Sequence, residues 1–161
     1  MTAALARITA DSAVDRAPAG RATIGCLILA RDAEESVAGV IESLLHQTRV
    51  PDVIHVIVSD TSDVTVEIAS RYAGPRDVIT ALGAQATRVF VHDIGRSPDA
   101  RASALDYGCT LAEGYDYLLG VDGDTVVGER AIEHLESEAM SDTRTLGMFF
   151  TLIRHESGEK V

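Results

Sequence analysis

Cysteine, tryptophan, positive charge and long apolar runs are all scarce in this chain, and each shortage closes off a class of protein. Two cysteines, Cys26 and Cys109, are too few for a disulfide scaffold. Both stand in apolar-patterned segments, where free thiols are commonly buried, and a reducing cytoplasm is the expected compartment. Lys and Arg number 14 against 25 Asp and Glu, for a net charge of −11. A protein that reads a nucleic-acid backbone needs clustered Lys and Arg, so the balance argues against that class. A bound cation and a nucleotide ligand remain compatible with it. The longest apolar run, Ile24 to Ala30, falls far short of the ~20 residues that span a bilayer. Met1 to Arg21 has no apolar stretch of the kind a secretory leader carries. What is present, 46% apolar and 24% charged residues in a chain of 161, suits one folded domain.

Along the chain, residues 1–21 show no clear period and read as a loose tail, and residues 22–161 as the domain. Thr23 to Ala30 is a short apolar run, the mark of a buried strand. Asp32, with Glu35 three residues on, predicts a capped helix start. Val37, Val40, Ile41, Leu44 and Leu45 then mark one helical face. Val53 to Val58 is a β-branched strand. A polar turn, Ser59 to Asp63, leads to a helix over Val64 to Ala73, stopped by Gly74-Pro75. Residues 76–87 fit either a strand fragment at Val78-Ile79 or a short helix. Arg88 to His92 is a third strand. Ser97 as cap and Pro98 as first residue predict a helix to about Glu113, ended by Gly114. Tyr117 to Val121 is a fourth strand, and a helix over about Glu129 to Met140 turns Ile132 and Leu135 inward. Thr145 to Ile153 is a last, very apolar strand, and as a sheet edge it would favour self-association or a second chain.

Strand and helix alternating at this spacing predict βαβ units, a mainly parallel sheet and helices on both faces. Ligands of such sheets bind beyond the carboxyl ends of the strands. Four polar clusters fall at those ends: Arg31-Asp32, Asp60 to Asp63, Asp93 to Arg96, and Asp122 to Asp124. Asp122-Gly123-Asp124 is the sharpest. Two carboxylates flank a glycine that permits a tight turn and close approach of a ligand. Hard oxygen donors there suit Mg²⁺ or Mn²⁺ shared with substrate phosphates; the plainer alternative is an acidic turn that ends a strand. A phosphatase-type nucleophile at Asp122 lacks its downstream lysine, the only Lys being Lys160. A calcium loop would need glycine where Val127 stands. The histidines, His46, His55, His92, His134 and His155, share no metal-site spacing and read as ordinary strand or surface residues. His155-Glu156 follows the last strand and so falls on the same rim.

The ordered series ILARDAEESVAGVIESLLHQTRVPD, VIVSDTSDVT, RASALDYG and YDYLLGVDGDT resembles the nucleotide-sugar-binding half of family-2 glycosyltransferases, which have the GT-A fold. The resemblance covers about residues 23 to 140. It implies that Asp32 lies near the nucleotide, in place of the family's Asn. Ser43, Leu44, Leu45 and Gln47 match a Ser-Leu-Leu-x-Gln run that reads as packing and a loop anchor. Asp60 would hold the pyrimidine base, while Asp63 caps the following helix. Arg101 matches the family's Lys and would be a cation near the nucleotide, the alternative being a solvent-facing helix arginine. Asp106 replaces an Asn, adding a negative charge that Arg101 or Arg96 would have to pair; Arg96 is also a candidate phosphate contact. Asp122 would meet the ribose or the ion, and Asp124 the Mn²⁺ or Mg²⁺ ion. The implied function is inverting transfer of a sugar from a nucleotide-diphosphate sugar, UDP-linked, to a carbohydrate or other hydroxyl acceptor.

The family's acceptor-binding half and its general base have no match after Asp124, and no Gln-x-x-Arg-Trp pattern occurs. The expectation is therefore a GT-A-like domain truncated before the acceptor half: a fragment, one part of a split enzyme completed by a partner, or a minimal binder. The alternative function is a non-catalytic nucleotide-sugar-binding or interaction module. A nucleotidyltransferase would want a Gly-rich phosphate loop where Ala30-Arg31-Asp32-Ala33 stands.

Overall fold

A computed structural model of the protein describes residues 6–7, 22–111, 113–141 and 152–153. In chain order the elements are β1 (Ala6–Arg7), β2 (Ile24–Ala30), α1 (Val37–Leu45), β3 (Val53–Val58), α2 (Thr65–Ser70), β4 (Gly74–Thr80), β5 (Gly83–Asp93), α3 (Ala100–Leu111), β6 (Tyr117–Asp122), α4 (Ala131–Ser141) and β7 (Leu152–Ile153). The main sheet runs β6-β2-β3-β5-β4, and the short β1 and β7 both pair with β6. β6, β2, β3 and β5 are mutually parallel, while β4 returns antiparallel along β5. The expected α/β fold with a mainly parallel sheet is the one observed.

The strands β2, β3 and β6 are buried at every residue because helices cover both faces. Alternation then divides each strand between two cores. Ile24, Cys26, Ile28, Ile54, Val56, Leu119 and Val121 pack with Val40, Ile41 and Leu44 of α1 and with Ile132 of α4. On the opposite face Leu27, Leu29, Ile57 and Leu118 pack with Ala104 of α3. Cys26 is a free, fully buried thiol whose pKa burial drives far upward. Ile132 and Leu135 are buried as the helical spacing predicts. No helix among the described residues is long and apolar enough to cross a membrane.

Several local expectations change. Residues 76–87 form neither a fragment nor a helix but most of the β4–β5 hairpin, closed where Thr80 pairs Gly83. β4 is an edge strand, and Ile79 stands 88% exposed on it, so the apolar pair carried no core signal. Asp32 does not cap α1: the chain first makes a turn, with the Val37 N–H bonding the Ala33 carbonyl at 2.8 Å, and the helix begins at Val37. At α3 the cap is Asp99, whose Oδ1 accepts the Ala102 N–H at 3.0 Å; the Ser97 hydroxyl instead meets that of Ser103. Of the predicted last strand, Leu152–Ile153 run parallel to Gly120 and Val121 of β6. Its other residues, and with them the proposed apolar association edge, lie outside the described residues. So do His155, Glu156 and all of residues 1–21 but Ala6–Arg7.

Strand order decides where a site forms. The chain steps outward from β2 to β3 to β5, then returns to lay β6 on the other side of β2. The crevice at such a reversal, beyond the carboxyl ends of β2 and β6, is where open α/β sheets bind ligands.

Candidate functional site

The four polar clusters meet at this edge. Register places Asp122 beside Leu29 at the end of β2, and Val58 at the end of β3 between Ala30 and Asp93. The loops that follow are stitched to one another. Asp60 donates its N–H to the Gly95 carbonyl at 2.8 Å. Asp32 accepts the Ser62 N–H at 2.9 Å and donates its own N–H to the Thr61 hydroxyl at 3.1 Å. Ala33 donates its N–H to the Thr65 hydroxyl at 2.9 Å. Asp32 and Asp60 both take left-handed backbone conformations, φ +42° and +49°, which aspartate tolerates better than most residues.

Asp63 accepts the N–H and hydroxyl of Thr65, the first residue of α2, and the Glu34 N–H. Partial desolvation opposes ionisation there, but these donors win and hold its carboxyl below the ordinary aspartate range. Asp63 is not the cap expected of it: the N-cap of α2 is Val64, and Asp63, one residue earlier, bonds the first helical N–H in a local turn.

Gly123 is fixed by close packing, but not in the sense expected. A Cβ on it would lie 3.0 Å from Cα and Cβ of Ala30 and 3.1 Å from the Leu29 carbonyl oxygen. What approaches is the end of β2 rather than a ligand. The Gly123 N–H bonds that carbonyl at 2.8 Å, and the Ser36 hydroxyl donates to the Gly123 carbonyl at 2.7 Å. The loop beyond is held by the Ser-Leu-Leu-x-Gln run. Ser43 Oγ accepts the Val127 N–H at 3.1 Å, Gln47 Nε2 donates to the Gly128 carbonyl, and Gln47 Oε1 accepts the Ile132 N–H at 3.2 Å. Gln47 is buried, which makes it the loop anchor its spacing suggested.

Two ion pairs face this edge. Arg31 Nη2 lies 2.8 Å from Asp60 Oδ2, and Arg101 Nη1 lies 3.0 Å from Asp122 Oδ1. Beside them opens a cleft of about 330 Å³ lined in part by both arginines, Arg31 and Arg101, with Ala30, Ser59 and Asp99; neither Asp60 nor Asp122 lines it. Arg101 therefore pairs with Asp122 and not with Asp106, which is exposed and forms no ion pair among the described residues; nor does Arg96. Asp122 is nearly buried at the end of β6, whereas Asp124 is exposed and accepts a 3.3 Å bond from the Thr125 hydroxyl. No group of three or more His, Cys, Asp or Glu able to hold a metal occurs among the described residues. The donor set does fit Mg²⁺ or Mn²⁺ taken with one or two carboxylates and substrate phosphates, the usual mode for such ions.

Arg31 was legible as part of a polar cluster at the end of β2, but its pairing with Asp60 was not. The histidines were read as ordinary strand or surface residues, and two of them meet. His55 Nδ1 and His92 Nε2, on β3 and β5, are 2.9 Å apart, and Tyr107 of α3 reaches His92 Nδ1 at 3.3 Å. Phe90 stacks on His55. Burial, then the charge of His92, pushes His55 down to about 4; burial also lowers His92. Only strand adjacency makes this pair, so no spacing along the chain could have shown it.

Compared with known proteins, the chain matches the family model described as glycosyl transferase family 2 over residues 26–158. No curated protein matches it.

Proposed function

Since the chain belongs to glycosyl transferase family 2, we propose that the edge cleft binds a nucleoside-diphosphate sugar, UDP-linked, for inverting transfer to a hydroxyl acceptor. The observation that carries this reading is that one cleft beyond the ends of β2 and β3 is lined by Arg31 and Arg101, each of them paired with an aspartate, Asp60 and Asp122. Each pair supplies what a nucleotide needs: a carboxylate acceptor for N–H or hydroxyl groups, and a guanidinium for phosphate oxygens.

Asp60 would accept the N3–H of the pyrimidine. Asp122 would take a ribose hydroxyl or share the ion with Asp124, and Arg101 would meet the nucleotide's phosphates. A divalent ion held by Asp122 and Asp124 would offset charge on the departing diphosphate, an effect worth several kcal/mol. In the transfer, the acceptor oxygen forms a bond to C1 from the face opposite the diphosphate. The C1–O bond to the diphosphate breaks, its electron pair leaves with the UDP, and the hydroxyl proton passes to a general base. No residue is assigned as that base.

The test is release of UDP from a panel of UDP-sugars, with Mn²⁺ and with the Asp124→Asn variant beside the parent. Metal-dependent release that falls at least ~100-fold in the variant is expected, the size of effect seen when a transition-state stabiliser is removed. A chain that binds UDP but releases none from any donor would instead be a nucleotide-sugar-binding module.

A further inference from the structure

We propose that Arg101, which lines the cleft, gates Asp122 beside it: it neutralises Asp122 in the ligand-free protein and yields it only when a divalent ion and a nucleoside diphosphate arrive together. This inference rests on the donor-site reading above and deepens it.

The two partners of the ion pair are unequal. Asp122 has a side chain only 11% exposed, at the end of a fully buried strand. Its backbone is fixed by the Thr125 N–H on its carbonyl at 3.1 Å and by the Gly123–Leu29 bond that follows. Arg101 is on the first turn of α3, its side chain 49% exposed, and it lines the cleft. The acid is fixed, and the cation can swing without moving backbone. Its contact with Asp122 at 3.0 Å is the one ion pair it forms among the described residues.

A guanidinium and a divalent ion are like charges and repel each other at one carboxylate, which Arg101 has already neutralised through Oδ1. An ion arriving alone meets that repulsion, with no anion to draw Arg101 away. A diphosphate changes that. Its oxygens match the planar guanidinium fork, and phosphate is the partner to which arginine is best suited. Arg101 then exchanges Asp122 for phosphate, and Asp122 is released to the ion beside Asp124. By linkage, each ligand strengthens the other's binding by the same factor.

The experiment measures Mn²⁺ alone binding to the full ligand-free chain, followed by the electron paramagnetic resonance signal of free Mn²⁺. Arg101→Gln, Arg101→Lys and the parent are compared, with thermal midpoints as the check on folding. Arg101→Gln should bind Mn²⁺ at least about fivefold more tightly than the parent and UDP with Mn²⁺ at least about fivefold more weakly, within the usual range of coupling between sites. Arg101→Lys keeps the cation without the planar fork and should stay near the parent for Mn²⁺ alone while falling between the parent and Arg101→Gln for UDP with Mn²⁺. Adding Asp124→Asn to Arg101→Gln should abolish the gain. Mn²⁺ binding no tighter in Arg101→Gln than in the parent, or undetectable in both, overturns the gate. So does a gain that survives loss of Asp124. Opposite shifts separate this role from mere support of the fold, which would weaken both ligands together. If the Mn²⁺ gain appears but the parent shows no Mn²⁺-dependent UDP binding, the donor-site reading falls while the gate on the ion stands.

Discussion

Asp60 is held at both ends, its N–H on Gly95 and its carboxylate on Arg31. Replacing it with alanine leaves the backbone bond in place and removes the acceptor proposed for the base. UDP affinity should fall about tenfold, roughly 1.4 kcal/mol, in a calorimetric titration, with the thermal midpoint somewhat lowered because alanine tolerates the left-handed backbone at this position less well than aspartate. Gly123 behaves differently. The atoms a Cβ would strike belong to the backbone end of β2, which cannot yield as a side-chain tip can. Gly123→Ala should therefore cost about 1–3 kcal/mol, the range for an overpacked site, and weaken nucleotide binding by shifting Asp122 and Asp124. Equal stability of the variant and parent in urea would show that the loop relaxes freely. The tripeptide itself was plain in the sequence. The reason for its glycine was not, because the contact is made to a residue far away in the chain.

The elements that carry the site are braced from behind. Gln47 at the end of α1 satisfies the Gly128 carbonyl and the Ile132 N–H, both next to α4. Gln47→Ala would take the side-chain acceptor from the buried Ile132 N–H, while the Gly128 carbonyl keeps the Ala131 N–H, at a cost of about 1–3 kcal/mol. Chemical denaturation would measure it. The opposite case is Thr87 on β5, whose buried hydroxyl has no partner among the described residues. Thr87→Val should be neutral or stabilising by up to ~1 kcal/mol. Legibility followed burial at this scale. β2, β3 and β6 are buried throughout and mostly apolar, and α1 has a clean helical stripe, so all four were readable. β4 has one exposed face and an exposed Ile79, so its pattern fitted strand and helix alike. The helix starts were misjudged because Ser97 and Asp99 both offer a cap to α3, and a tertiary bond to Ser62 engages Asp32 before α1.

Across the molecule, the sheet brings together groups that the chain keeps apart, and pH should reveal one such meeting. His55 has an ordinary value near 6.5 and is held at about 4 in the fold by burial and His92. Below pH 6.5 the unfolded chain takes a proton that folded His55 refuses. Stability is therefore full above that point and is lost as pH falls toward 4. Between pH 7.5 and 5 the loss should be on the order of 1–2 kcal/mol, visible as a falling thermal midpoint, and His55→Gln should flatten the slope. The convergence of the acids, in contrast, was foreseeable, because strand ends in a parallel sheet share one edge. What the chain order could not give was the pairing of Asp60 with Arg31 and of Asp122 with Arg101. The central claim is that this edge is a nucleotide site, and calorimetric titration of UDP into the full chain, with and without Mn²⁺, tests it most directly. Saturable binding that requires Mn²⁺ is the predicted result. A folded chain that takes up no UDP at millimolar concentration, with Mn²⁺ present, would contradict it.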